Sequence, residues 1–209
     1  MTYDTSTKLK NRSVCPEDLF IELLDGSKWY PGRDDNDIAP QVIAGSTAKL
    51  CRYTGHSSGF YSVAEHSVKI SYLLGYMRCP ELAFEALVHD AHECITNNLS
   101  KPFKVYVGGT YEKAEDKIEM EVRKLFGLPY GMHDAVHHAD QLMRFIEAYD
   151  LMPSRGECHF DKEKYQAEAM EYASNYPYLK PHCWDWETAE QEWLQRFAQL
   201  VVAKYSTGE

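Results

Sequence analysis

The six cysteines (Cys15, Cys51, Cys79, Cys94, Cys158 and Cys183) form no CxxC pair. A disulfide framework finds no support in that scatter, and the expectation is reduced thiols in a cytoplasm. The opening residues, MTYDTSTKLKNRSVC, hold no apolar stretch of the kind a secretory leader needs. No run approaches the roughly 20 apolar residues of a membrane span, so no membrane partner is expected. Basic residues are in deficit, 22 Lys and Arg against 32 Asp and Glu, for a formal net charge of −10. That balance argues against a nucleic-acid polymer as partner, although a pocket of opposite local charge can still take a small phosphorylated ligand. Internal repeats and low-complexity tracts are also missing.

What is present suits one globular domain. The 209 residues are 44% hydrophobic and 13% aromatic, enough for a substantial core. Residues 1–17 are polar and read as a flexible N-terminus ahead of a single domain at 18–205. LFIELLDGSKWYPG (19–32) has the look of strand, turn and strand, with Asp25-Gly26 as the turn. In 34–53 an Asp is available as N-cap, Pro40 suits a first turn, and Gly45-Ser46 is expected to interrupt the helix. Helical spacing follows at 62–77 and 81–95, then a loop at 96–104. Three further helices are expected at 110–128, 133–152 and 161–174, and the last at 186–205. The fold class is all-α, with a small N-terminal β-hairpin.

Within EALVHDAHECI (85–95), four ionisable side chains interrupt an apolar helix. Burying charge costs several kcal/mol unless it is paired or coordinated. His66 lies on the preceding helix, His89 and Asp90 on this one, and Asp140 on a third, 50 residues beyond Asp90. Two imidazoles and two carboxylates form a mixed nitrogen and oxygen ligand set suited to Mn²⁺, Fe²⁺, Co²⁺ or Zn²⁺. Adjacent residues on a helix point about 100° apart, so His89 and Asp90 share an ion only if it sits between helices. His92-Glu93 does not make the HExxH of zinc proteases. The adjacent pairs Cys158-His159 and His182-Cys183 are a weak alternative as a structural zinc site.

The blocks LCRYTGH, FYSVAEHSV, ALVHDAHE, NNLSKPFK and HHADQLMRFIEAYDLM occur in this order between residues 50 and 152, within a resemblance that covers residues 18 to 200. In order and content they resemble the HD-domain metal-dependent phosphohydrolase superfamily. The members they resemble include the small bacterial deoxynucleoside 5′-monophosphatases and the phage dATP triphosphohydrolases. The resemblance implies an HD-domain helical bundle with His66, His89, Asp90 and Asp140 as ligands of a divalent transition metal. It implies that Glu93 positions or deprotonates the attacking water, with Asp90 also in the catalytic set. Arg52, Tyr53, His56, Asn98 and Lys104 match substrate-binding positions, Lys104 near the polyphosphate. Two departures stand out: Asn97-Asn98 replaces a Gly-Asp, and His137 replaces a frequent Lys.

The implied activity is hydrolysis of a deoxynucleotide at its 5′ phosphoester, first of all a dNTP of the dATP type, releasing deoxynucleoside and triphosphate. A deoxynucleoside 5′-monophosphatase and a non-catalytic nucleotide-binding regulator are the alternatives. A phosphodiesterase would call for a second HD pair, which is missing. The resemblance further implies a homo-oligomer, dimer or hexamer, in the cytoplasm (the host cytoplasm for a phage-encoded chain). His92 matches no role and reads as a helix-face histidine, with a supporting partner of the ligands as the alternative.

Overall fold

The computed structural model describes residues 19–159 and 161–206, with side chains to residue 203. The flexible segment expected at 1–17 lies outside the described residues. The chain is all-α, with one two-stranded antiparallel sheet near its N-terminal end. Strands β1 (Ile21–Glu22) and β2 (Lys28–Trp29) pair Ile21 with Trp29 and Glu22 with Lys28. The turn forms where expected. Gly26 takes a positive φ of 82°, and Asp25 Oδ1 accepts from the Ser27 amide and hydroxyl at 2.9 and 2.6 Å.

Helix α1 (Pro40–Thr47) differs from expectation at both ends. Its N-cap is Ala39 rather than an aspartate; Asp37 instead accepts from the Ile38 amide at 2.8 Å. Gly45-Ser46 does not interrupt it, because Gly45 is the small residue that packs close to Leu24 and Glu190. Helix α2 (Val63–Tyr76) starts where Ser62 Oγ caps the Glu65 amide at 3.0 Å. Every residue of α2 from Val63 to Ser71 is buried. A helix buried all round is the centre of its bundle. One face joins Trp29, Val42, Ile43, Leu87 and Trp193 in a first core. The other joins Leu142, Phe145, Ile146, Tyr165 and Ala169 in a second. Polar residues of α2 are thereby forced inside, where each needs a partner.

The helix expected at 81–95 is broken. A 3₁₀ turn at Pro80–Leu82 leads into α3 (Ala83–Val88), then turns at 89–92, then α4 (Glu93–Thr96). Hydrogen bonds through the break run to the third residue back, as in Ala91 N to Val88 O (3.1 Å) and Glu93 N to Asp90 O (3.0 Å). Three residues per turn eclipses positions i and i+3, aligning Asp90 with Glu93 better than an α-helix would. The expected loop at 96–104 ends early, since α5 (Lys101–Val107) begins at the residue before Pro102. Helices α6 (Gly109–Leu125), α7 (Asp134–Leu151), α8 (Lys162–Asn175) and α9 (Trp186–Ser206) follow expectation closely. Among the described residues, no helix is long and apolar enough to cross a membrane.

Candidate metal centre

The three helices converge on one cluster. His66 from α2, His89 from the end of α3 and Asp140 from α7 place ligand atoms within 4.8 Å of one another. His66 Nε2 lies 3.1 Å from Asp140 Oδ1 and 3.8 Å from Asp90 Oδ2. His89 Nε2 lies 3.2 Å from Asp90 Oδ2. Both imidazoles are buried, whereas the Asp90 and Asp140 side chains keep 17% and 25% of their surface, so the cluster opens on the carboxylate side. Among the described residues no other His, Cys, Asp and Glu group has such spacing. His182 Nδ1 lies 2.6 Å from Lys69 Nζ.

Hydrogen bonds fix how the rings face. His89 Nδ1 is 2.7 Å from the Ala86 carbonyl, which can only accept, so Nδ1 carries the proton. His66 Nδ1 is 2.5 Å from Glu147 Oε1, a carboxylate that Arg52 and His66 hold below its usual range against the effect of burial. Both Nε2 atoms therefore point into the cluster. Both are buried and lack a well-aligned hydrogen bond, yet each lies 3.1–3.2 Å from a carboxylate oxygen. A ring nitrogen facing carboxylates needs a proton or a cation between them, and a divalent ion can fill that place for both rings at once.

Charge points the same way. Asp90 is held far below the usual carboxylate range, and Asp140 is lowered to about 2, burial opposing in both cases. Together with Glu147 these make three negative charges against one on Arg52. With both rings neutral, as ligation requires, a divalent cation would offset the remaining two negative charges; without it, protonated imidazoles supply positive charge instead. Burial alone would lower His89, yet Asp90 beside it drives the ring up to about 9, another sign that the cluster calls for positive charge. The donor set thus fits the metal.

Glu93 is buried beside the cluster. Burial, then the Asp90 charge, lift its carboxyl to about 7, in the range of a group that exchanges protons near neutrality. Asn98 Nδ2 donates to both Glu93 oxygens at 2.9 Å, which holds the carboxylate in place. The Asn98 Nδ2 is thus engaged with Glu93. Lys104 is similarly engaged, its Nζ 2.7 and 2.8 Å from the Glu115 oxygens. His92 is not on an open helix face: it is buried, with Nε2 3.8 Å from Glu115. The apolar packing of α4 on α1 and α6 turns it inward. His56 and His137 are exposed.

Arg52 and Tyr53 sit on a 3₁₀ turn (Arg52–Gly55), which Tyr53 and Thr54 enter at positive φ. Arg52 Nη1 is 3.6 Å from Asp90 Oδ2, and its Nε donates to Glu147 Oε2 at 3.2 Å. The Tyr53 hydroxyl donates to the same oxygen at 2.9 Å. Glu147 is the residue that sequence reading missed. Seven positions after Asp140, it lies two turns along the same apolar face of α7, and that spacing was the available signal.

Fold and site together define an all-α protein with a buried, electron-rich His/Asp cluster at the meeting of three helices. No family model matches the chain. Over 133 residues, 63% of this chain, it is 38% identical to the uncharacterized protein YfdR of Escherichia coli (strain K12), covering 72% of that protein. Over 141 residues, 65% of this chain, it is 32% identical to the uncharacterized protein RCAP_rcc00048 of Rhodobacter capsulatus, of which it spans 65%, just under two thirds. The chain belongs to the family of YfdR.

Proposed function

We propose that this chain is a metal-dependent phosphohydrolase of the HD-domain superfamily that cleaves a deoxynucleotide at its 5′ phosphoester. The observation that carries this reading is the convergence of the buried Nε2 atoms of His66 and His89 on the carboxylates of Asp140 and Asp90, 3.1 and 3.2 Å away. These four residues would hold a divalent ion such as Mn²⁺, Fe²⁺, Co²⁺ or Zn²⁺. When bound, that ion supplies Lewis-acid polarisation of a phosphoryl oxygen and acidifies the attacking water.

Glu93 takes the water's proton; its raised carboxyl suits that exchange, and Asn98 keeps it aimed. As the water oxygen bonds to phosphorus, the bond from phosphorus to the 5′ oxygen breaks, and that oxygen leaves with the nucleoside and gains a proton. Arg52, the guanidinium at the edge of the cluster, offsets charge developing on the phosphoryl oxygens.

One observation favours the monophosphate over the triphosphate substrate. A triphosphate needs further cations along its length, and Lys104 is already neutralised by Glu115 at 2.7 Å. The deciding experiment incubates metal-loaded protein with dNMPs, dNTPs and their ribonucleotide counterparts and separates the products. Release of deoxynucleoside with phosphate or triphosphate supports the reading. Absence of turnover with every divalent metal in the set overturns it.

A further inference from the structure

Four hydrogen bonds meet on one carboxylate. Glu147 is fully buried, and each of its oxygens accepts two donors. Oε1 takes His66 Nδ1 at 2.5 Å and the Tyr61 hydroxyl at 3.0 Å. Oε2 takes Arg52 Nε at 3.2 Å and the Tyr53 hydroxyl at 2.9 Å. One oxygen thus faces the metal centre through His66, and the other faces the guanidinium that stands over it. Tyr61 belongs to the extended segment before α2, and Arg52 pairs with that segment through its backbone N–H to Tyr61 O at 2.9 Å. The Arg52 turn, α2 and α7 are therefore joined through this one side chain.

We propose that Glu147 is a positioning residue that couples cation binding at His66 to anion binding at Arg52. It fixes the His66 ring with the proton on Nδ1 and the lone pair on Nε2, as outer carboxylates do for metal-ligating histidines. The same charge holds the Arg52 fork with Nη1 turned toward Asp90. This inference rests on the metal reading of the cluster, but it does not depend on which nucleotide is cleaved.

An amide cannot serve both sides. In Glu147→Gln the carbonyl oxygen can face His66, leaving the NH₂ against the Arg52 donor. Facing Arg52 instead, it turns the NH₂ on His66 and forces the ring proton onto Nε2, where it blocks ligation. The experiment titrates Zn²⁺ into the metal-free protein by calorimetry, then inorganic phosphate into the zinc-loaded protein. For Glu147→Gln, at least one of the two affinities is expected to fall 10- to 100-fold. Both affinities within about twofold of wild type would overturn the coupling. Nitrogen-15 spectra of the zinc-loaded wild type give an independent reading: His66 should show the proton on Nδ1, and a proton on Nε2 overturns the inference even where the variant fails to fold. Failure of the wild type to bind zinc or any other divalent ion removes the metal reading and this inference with it. A protein that binds zinc and phosphate normally but turns over no nucleotide removes only the proposed substrate.

Discussion

Replacing Glu93 by glutamine should abolish turnover and yet make the metal-free protein more stable. The reason is the cost of keeping a carboxylate in a buried place beside Asp90. Burial and that neighbouring charge lift the Glu93 carboxyl from an ordinary 4.5 to about 7. A carboxyl raised on folding contributes most below its unfolded value. Its contribution is lost as pH rises through the folded value, because the folded chain must then release a proton it holds more tightly. At about 1.4 kcal/mol per pH unit, the penalty on wild type saturates near ~3 kcal/mol above pH 7. Glutamine keeps the shape and stays neutral, and Asn98 can turn its amide to meet it. For a chain of this length, ~3 kcal/mol corresponds to a Tm higher by about 6–12 °C. Thermal unfolding in chelator at pH 8 measures this directly. The advantage should shrink toward pH 5 and vanish below about pH 4.5, where wild-type Glu93 is protonated in both states. A glutamine variant no more stable than wild type at pH 8 would refute the picture of a strained base held beside a charged cluster.

Other perturbations test separate parts of the scheme. With metal at 100 times its Kd, wild type should gain about 2.7 kcal/mol of stability, and Asp140→Asn should lose most of that gain in the same thermal scan. Asn98→Ala removes the amide nitrogen whose two contacts lower the Glu93 carboxyl. The acid limb of the rate profile should then move to higher pH, and an unmoved limb would count against Asn98 as the holder of the base. Glu85→Ala leaves the buried Arg123 without its 2.7 Å carboxylate partner. Urea unfolding should show a loss of about 3–5 kcal/mol, and a loss under 1 kcal/mol would contradict the pairing. Trp193→Ala empties a buried site in the first core and should cost a similar 3–5 kcal/mol without altering metal affinity.

Local signals in the sequence were strong wherever one residue decides a conformation. Asp25-Gly26 announced the hairpin, because a turn satisfies its backbone groups within a few residues. The candidate site was legible for a related reason. His66, His89, Asp90 and Asp140 are ionisable groups on helices that otherwise read as apolar, and buried charge needs a partner wherever the chain leads it. The break at 89–92 was not legible, since ALVHDAHECI carries no glycine or proline to mark it. Packing α4 against α1 and α6 tightens that turn, and no local propensity encodes it.

By itself, then, the sequence determined the helical class, the hairpin and the four side chains that meet at the centre. Only the tertiary structure decided what each remaining polar group does. It turned Asn98 onto Glu93, Lys104 onto Glu115 and His92 inward, and it gathered four donors on Glu147. Apart from Asn98, five residues beyond Glu93, those partners lie on different elements, up to 95 residues apart in the case of Arg52 and Glu147. Helical periodicity reports which face of an element is buried. It says nothing of which side chain on another element it will meet there, and that pairing fixes the tautomer, the charge and the aim of every group around the cluster.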